Sequence, residues 1–393
     1  MERYDTIILG AGAAGLMCAA HASAQGARVL VVDHAKKPGD KIRISGGGRC
    51  NFTNLDVSTA NFISANPHFA KSALARYSQW DFIDLVARHG IAWHEKTLGQ
   101  LFCDGKATQI IQMLLSESKR AELRLSTSVD DVSHDGTGFC VTLSGTPTAT
   151  RHLVVATGGK SIPKMGATGL AYKIAGTFAH PVTETRPALV PFTFAPQELD
   201  WIAPLAGTAL GVTAQANGPA FAEALLFTHR GLSGPAMLQI SSYWREGQPI
   251  SIDLAPGIAV ARTLDDMRQT GGKRALHTAL SEILPAKLAA ALATQWALKG
   301  NIADQSGATL KALETSLHHW TLTPTSTEGY RTAEVTLGGI DTAAIDSKTM
   351  QSRHLPGLYF IGECVDVTGW LGGYNFQWAW SSGWAAGTHL AAL

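Results

Sequence analysis

Gly10-Ala11-Gly12-Ala13-Ala14-Gly15 stands between an apolar run, Tyr4 to Leu9, and an Ala-rich stretch, Ala13 to Gln25, that stops at Gly26. The three pieces read as a buried strand, a tight turn and a helix, and Arg28 to Asp33 follows as a second strand. A strand, glycine turn, helix and strand within about 30 residues make a βαβ unit, whose parallel strands must be covered on both faces. The glycine spacing has a physical purpose. Gly10 permits the turn, Gly12 lets a pyrophosphate approach the backbone, and Gly15 lets helix and strand close on one another. Ala13 and Ala14 sit at the positive end of the helix, where phosphate charge is held. Asp33 ends the second strand, where a carboxylate accepts from ribose hydroxyls and repels a 2′-phosphate. The ligand of this turn is therefore FAD or NAD rather than NADP.

Two later strand ends decide between them. Arg151 to Thr157 is a strand that runs out through Ala156-Thr157-Gly158-Gly159, and Leu358 to Ile361 is another that runs into Gly362-Glu363-Cys364-Val365-Asp366. Two-part FAD folds use such ends as second and third cofactor contacts. One crosses over the dinucleotide, and an acid of the other, Glu363 or Asp366, reaches the ribityl or pyrophosphate region. An NAD dehydrogenase has no need of a third contact so late in the chain. Gly372-Gly373-Tyr374-Asn375-Phe376 then opens a last helix, Phe376 to Leu390, whose N–H groups can face the flavin N1–C2=O edge, where negative charge collects on reduction. Lys41, with Ser45-Gly46-Gly47-Gly48-Arg49-Cys50-Asn51, combines close backbone approach with a cation. His34 and Val129 complete the candidate cofactor contacts.

Composition narrows the function classes. The 393 residues carry 32 Lys plus Arg against 31 Asp plus Glu. A net charge of +1 gives no broad field to gather nucleic acid or anionic lipid, so neither is expected as a partner. The five cysteines, Cys18, Cys50, Cys103, Cys140 and Cys364, include no CxxC pair and suit a reduced compartment. Met1 to Asp5 lacks the basic start of an export signal, and the apolar stretch from Thr6 to Ala20 is too short and too broken to span a membrane. A cytoplasmic enzyme is expected. His318-His319 cannot chelate one metal from a single helix face, and no metal site is expected.

Beyond Pro187 the texture changes to short apolar runs separated by Gly, Pro and Asn turns, and between Arg262 and Trp320 it becomes helical. Leu284, Leu288, Leu292 and Trp296 fall four apart, and Leu310, Leu313, Leu317 and Trp320 share a stripe, which reads as core packing. The expected organisation is an FAD domain in two parts, 1–189 and 341–393, interrupted by an insert at 190–340 that is β-rich at 190–260 and 324–340 and helical at 261–323.

The motifs together resemble the YhiN/BaiN-like flavoproteins, also described as aminoacetone-oxidase-like FAD-binding enzymes, and most of all their YhiN-like members. The likeness runs through KIRISGGGRCNFTN (Lys41 to Asn54), HEKTLGQLFC (His94 to Cys103), FTHRGLSGPAML (Phe227 to Leu238), GYRTAEVTLGG (Gly329 to Gly339) and GECVDVTGWLGGYNFQWAW (Gly362 to Trp380). It implies an α/β, glutathione-reductase-type FAD domain with an insert of β-barrel and helical parts.

No second GxGxxG follows, so electrons come from the substrate or from NAD(P)H visiting the flavin as a transient donor. Ser233 in Gly231-Leu232-Ser233-Gly234-Pro235 reads as a helix N-cap rather than a nucleophile. His229 can bind an acidic substrate or donate a proton. Tyr330, Arg331 and Glu334, read as a return strand, and Tyr374, at the flavin-proximal turn, are the other candidates for the reaction. The expected function is an FAD-dependent oxidoreductase acting on a small organic molecule. The alternatives are an O2-using amine oxidase, a flavin-dependent RNA-modifying enzyme and a redox sensor. Oligomeric state is not legible.

Overall fold

A computed structural model describes all 393 residues. Strand β1 (Glu2–Leu9) is buried from Thr6 onward and lies between two parallel neighbours, β2 (Val29–Val32) and the strand Thr146–Val155. The strand Glu122–Arg124 extends the sheet beyond β2, and Leu358–Phe360 pairs in parallel with Leu153–Val155 on the other side. Ile7, Ile8, Leu9, Val29 to Val32, Leu153 to Val155 and Leu358 to Phe360 are all buried, the near-continuous apolar run expected of parallel strands covered on both faces. Thr146–Val155 changes partner along its far edge within the one seven-stranded sheet: its first half pairs antiparallel with Phe139–Leu143, which pairs in turn with Val129–His134, and its second half pairs with Leu358–Phe360.

Helix α1 (Ala13–Ala22) follows the glycine turn and ends three residues earlier than the Ala-rich pattern suggests. The C-terminal helix Tyr374–Ala391 lies directly against it. Glycines make that approach possible, since a Cβ built at Gly383 would lie 2.5 Å from the Ala14 carbonyl oxygen and one at Gly387 2.5 Å from that of Cys18.

The chain divides into two units, Met1–Arg186 with Val335–Leu393, and Pro187–Glu334. In the second, antiparallel strands run in the order Trp320–Leu322, Ile250–Asp253, Ala209–Gln215, Phe221–Thr228, Gly231–Ser233, Phe192–Thr193, Ser326–Thr327. The two outermost strands do not pair with each other, so this is an open sheet rather than the expected barrel. Helices Val260–Gly271, Leu276–Leu280, Ala286–Gln295 and Gly307–His318 bury Leu264, Leu288, Leu292, Leu310, Leu313 and Leu317. Ser233 is not an N-cap: it ends a strand, and Gly234, at φ +91°, caps the helix that Pro235 begins. Residues 335–340, expected in the insert, belong to the first unit.

Candidate cofactor site

The glycines of the first turn separate into two kinds. Gly10 has φ +110°, and a Cβ there would stand 2.4 Å from the Ala156 carbonyl oxygen; a Cβ on Gly15 would stand 1.9 Å from that of Gly10. Both are required by the protein's own packing. Gly12 is extended, with φ −87°, and a Cβ built on it meets nothing within 4 Å. The space above Gly12 is open, as a pyrophosphate lying on the backbone requires. The first helical bond of α1 runs from Leu16 N–H to Gly12 O at 3.0 Å, so the N–H groups of Ala13, Ala14 and Gly15 precede the helical ladder and carry its positive end.

Asp33 braces this turn. Its Oδ2 accepts from Ala11 N–H at 2.7 Å and its Oδ1 from Ala35 N–H at 2.8 Å. A carboxylate oxygen has two lone pairs, so one on each remains for a sugar hydroxyl. His34, more than half exposed, lies beside it. Thr127 N–H donates to Asp33 O at 3.0 Å, bringing the chain just before Val129 to the same end of the sheet.

Glu363 and Lys41 meet from opposite ends of the sequence. Lys41 Nζ donates to Glu363 Oε2 and to Ser161 Oγ, each at 2.7 Å, while Glu363 Oε1 accepts from Ser161 Oγ at 2.8 Å and Thr336 N–H at 3.1 Å. Burial acts to raise the Glu363 carboxyl, but the Lys41 charge and these hydrogen bonds hold it below the usual carboxylate range. A Cβ at Gly159 would fall 2.8 Å from Glu363 Oε1, and one at Gly362 2.9 Å from the Ala14 Cβ, so the three glycine loops converge on one place. Gly158 borders it. Asp366 is buried; desolvation raises its carboxyl, which accepts from Ala65 N–H at 2.9 Å.

Lys41 belongs to α2 (Asp40–Gly48), which leaves helical geometry at Ser45 and passes through three left-handed glycines. Gly46 faces inward, where a Cβ would stand 2.8 Å from Asn51 N, whereas Gly47 and Gly48 face open space. Arg49 is exposed and Cys50 buried. Burial pushes the Cys50 thiol up, and pushes that of Cys103 up to about 11. Asn51 opens β3 (Asn51–Asn54), its amide 3.2 Å from that of Gln100.

Gly373 caps the C-terminal helix at φ +97°, and a Cβ there would stand 2.4 Å from the Thr53 carbonyl oxygen. Gly372 O accepts from Asn54 Nδ2 at 3.0 Å. The first helical bond is Gln377 N–H to Gly373 O, so the N–H groups of Tyr374, Asn375 and Phe376 lie ahead of the ladder. The Asn375 side chain is committed to the turn itself, accepting from Gly369 N–H and donating to Gly369 O, both at 2.8 Å. Tyr374 packs edge-on against Phe62 and Trp370, and Phe376 stacks on Trp380.

These residues fit FAD. Besides the open faces over Gly12, Gly47 and Gly48, the Thr157 hydroxyl is buried with no hydrogen-bond partner in the protein, at the strand end expected to cross the dinucleotide. Ser161 and Thr336 were missed from the sequence. Ser161 stands two residues past Gly159 in the same loop, a signal that was there to read; nothing local marks Thr336.

The other candidates lie in the second unit. His229 is exposed at a hairpin tip beside Arg230, whose guanidinium is 3.6 Å from Glu328. Tyr330, Arg331 and Glu334 are not on a return strand. Gly329, at φ +72°, starts a turn closed by Thr332 and Ala333 N–H donating to Gly329 O, and the strand begins only at Val335. Arg331 and Glu334 are exposed.

Among known proteins, the Escherichia coli (strain K12) ribosomal RNA dihydrouridine synthase is 53% identical over 401 residues, covering 100% of this chain and 99% of that protein. The Clostridium scindens 3-dehydro-bile acid delta(4,6)-reductase is 27% identical, with 98% of each covered. The solved structure of a 3-ketosteroid-Δ4-(5α)-dehydrogenase from Rhodococcus jostii RHA1 shares the fold at TM-score 0.53 and 15% identity, over 99% of this chain and 97% of that one. The model of the HI0933-like protein Rossmann domain matches residues 4–389, and the chain belongs to that YhiN/BaiN-like family, with the fold of FAD-dependent oxidoreductases.

Proposed function

We propose that this protein is a flavin-dependent enzyme that reduces the C5–C6 double bond of a uridine in ribosomal RNA. The observation that carries this reading is the 53% identity to the Escherichia coli enzyme of that name across the whole of both chains. The Clostridium scindens relative, named as a Δ4,6-reductase, suggests the same reaction type, addition of two hydrogens across a carbon–carbon double bond. The net charge of +1 argues against a broad attraction for RNA, yet leaves local contacts open.

Bound FAD supplies a two-electron reduction at its isoalloxazine ring, with NAD(P)H the proposed donor; NAD(P)H, a proton and uridine give NAD(P)⁺ and dihydrouridine. The chain's residues have separate tasks. The α1 terminus would hold pyrophosphate charge through the Ala13, Ala14 and Gly15 N–H groups, and Asp33 would accept from the ribose. The start of the C-terminal helix would stabilise negative charge at the flavin edge. Tyr374, in the first turn of that helix, is the proposed donor of the proton that C5 of uridine gains.

The test incubates flavin-loaded enzyme with NADH or NADPH and ribosomal RNA from a strain lacking the gene, and measures dihydrouridine by nucleoside mass spectrometry. One nicotinamide oxidised per dihydrouridine is expected, and Tyr374→Phe should keep the flavin while slowing formation by about 10²-fold or more. Nicotinamide-driven reduction of small enones with no dihydrouridine formed would overturn the reading.

A further inference from the structure

The second unit holds a cavity of about 380 Å³ that the flavin chemistry does not use. Three indoles line it: Trp201 from the helix Pro196–Ile202, Trp296 at the end of Ala286–Gln295, and Trp320 at the start of Trp320–Leu322. Gln295, Ser316, His319 and Thr321 add polar edges, and Leu292 and Leu322 complete the wall. Trp296 and Trp320 end the two apolar stripes that read from sequence as core packing. The structure divides those stripes: their leucines are buried, Trp320 is 6% exposed, and Trp201 and Trp296 remain half-buried and open to the cavity.

The chemistry of this lining is selective. It contains no carboxylate, lysine or arginine, so it offers nothing to a metal ion or a charged small molecule. Trp201 and Trp320 meet at 66°, with ring centroids 5.8 Å apart, which presents a flat face and an edge rather than a closed stack. The solvent-exposed Gln295 amide and His319 imidazole and the indole N–H groups of half-buried Trp201 and Trp296 form no hydrogen bond to protein and are available at the rim, unlike His318, whose ring bonds Asp253 at 2.8 Å. A flat aromatic ring with donors and acceptors on its edge satisfies both features, and at 380 Å³ the cavity lies within the roughly 300–1,000 Å³ of small-ligand pockets. Lys299, three residues past Trp296, is exposed, as is Asp200 beside Trp201.

We infer that this pocket seats one unpaired base of the ribosomal RNA, stacked on the indoles and read at its edge by Gln295 and His319, while Lys299 meets an adjoining phosphate. The inference rests on the proposed RNA substrate and adds a site to it. All of the lining lies in the second unit, whereas the flavin loops lie in the first.

Indole fluorescence of the flavin-loaded enzyme, titrated with single-stranded oligouridylate and oligoadenylate of about ten nucleotides and with an RNA duplex, tests it. At least one single strand should quench, the duplex less. Trp296→Ala should weaken that binding and raise KM for ribosomal RNA by about 5- to 150-fold, with flavin content and melting temperature kept. Trp296→Phe, which preserves a stacking ring, should recover most of the loss. Unchanged binding and KM in Trp296→Ala, with the unaltered enzyme forming dihydrouridine, would overturn the pocket and leave the reaction standing. So would equal binding of duplex and single strand, or a self-association abolished by Trp296→Ala, which would make the occupant a second copy. If the unaltered enzyme forms no dihydrouridine, the substrate reading fails and takes the pocket with it.

Discussion

At the scale of single residues, the glycines of one turn separate packing from ligand. Gly12→Val adds side-chain atoms to space that the protein leaves empty, on a backbone that any residue can adopt, so the variant should fold with an unchanged melting temperature and purify without flavin absorbance. Gly15→Ala forces a carbon against the Gly10 carbonyl and should cost about 1–3 kcal/mol or more, seen as a lower melting temperature. A yellow Gly12→Val protein would refute the assignment of that space. The packing role of Gly15 was readable in the sequence, and the pyrophosphate role proposed for Gly12 rests on the same argument, a glycine's place between strand and helix. The Lys41 and Glu363 pair was not readable as a pair, for 322 positions separate them and only the fold brings them to 2.7 Å. Its energetics give a second prediction. The folded Glu363 carboxyl titrates below its reference value of 4.5, so its contribution is complete above that pH and is lost as pH falls through the folded value. Lys41 is a third exposed, which keeps the worth of the interaction near about 1–2 kcal/mol. Glu363→Gln should therefore lower stability at neutral pH by that amount and flatten the acid limb of a stability–pH curve. Equal acid sensitivity in the two proteins would show that Glu363 does not titrate there.

At the scale of elements, the contact between α1 and the C-terminal helix sets where two helix N-termini stand, the one proposed for phosphate and the one proposed for the flavin edge. Gly383 and Gly387 allow it. In Gly387→Val the new Cβ would start 2.5 Å from the Cys18 carbonyl and 2.8 Å from the His21 Cβ, so the helices must part, costing about 1–3 kcal/mol. Flavin should be held more weakly, measured by equilibrium dialysis. Gly176→Ala is the comparison: nothing lies within 4 Å of its Cβ, in the helix Leu170–Thr177, and it should raise stability by about 0.5–1 kcal/mol. Element boundaries were legible where apolar runs are unbroken, as in β1 and β2. They were hidden where polar residues carry a strand: the expected strand begins at Arg151 and the observed one at Thr146, because the pairing of its first half with Phe139–Leu143 is a matter of partner rather than pattern. The stretch Ser45 to Gly48 read as a place of close backbone approach, and its glycines do leave helical geometry, but the helix α2 that Asp40 begins before them was not marked by any apolar pattern.

At the scale of the whole molecule, the inserted unit enters and leaves the FAD-binding unit at one place. Thr183 N–H donates to Gly339 O at 2.8 Å, and a Cβ at Gly338 would stand 2.1 Å from the Glu184 carbonyl oxygen, so the chain ends that flank Pro187–Glu334 are already neighbours within the first unit. That unit has its own sheet and core, and it contains every residue of the glycine cradle, the Lys41–Glu363 pair and the Gly372-Gly373 turn. Little in the sequence marks this closure, since residues near 184 and 338 carry no common motif; it follows from two strands returning to one sheet. Replacing residues 187–334 with a short Gly/Ser linker should thus leave a soluble protein that binds FAD. Loop closure adds only about 0.6 kcal/mol for each doubling of linker length, so a short bridge between adjacent ends suffices. The excised protein should bleach or stay yellow with NAD(P)H as the full chain does, yet form no dihydrouridine in ribosomal RNA, because the proposed base pocket is gone. Flavin absorbance, circular dichroism and nucleoside analysis check the three parts. An unfolded or colourless product would mean that the first unit needs the insert to hold its cofactor, and dihydrouridine formed at the full rate would mean that the insert has no part in recognising the RNA.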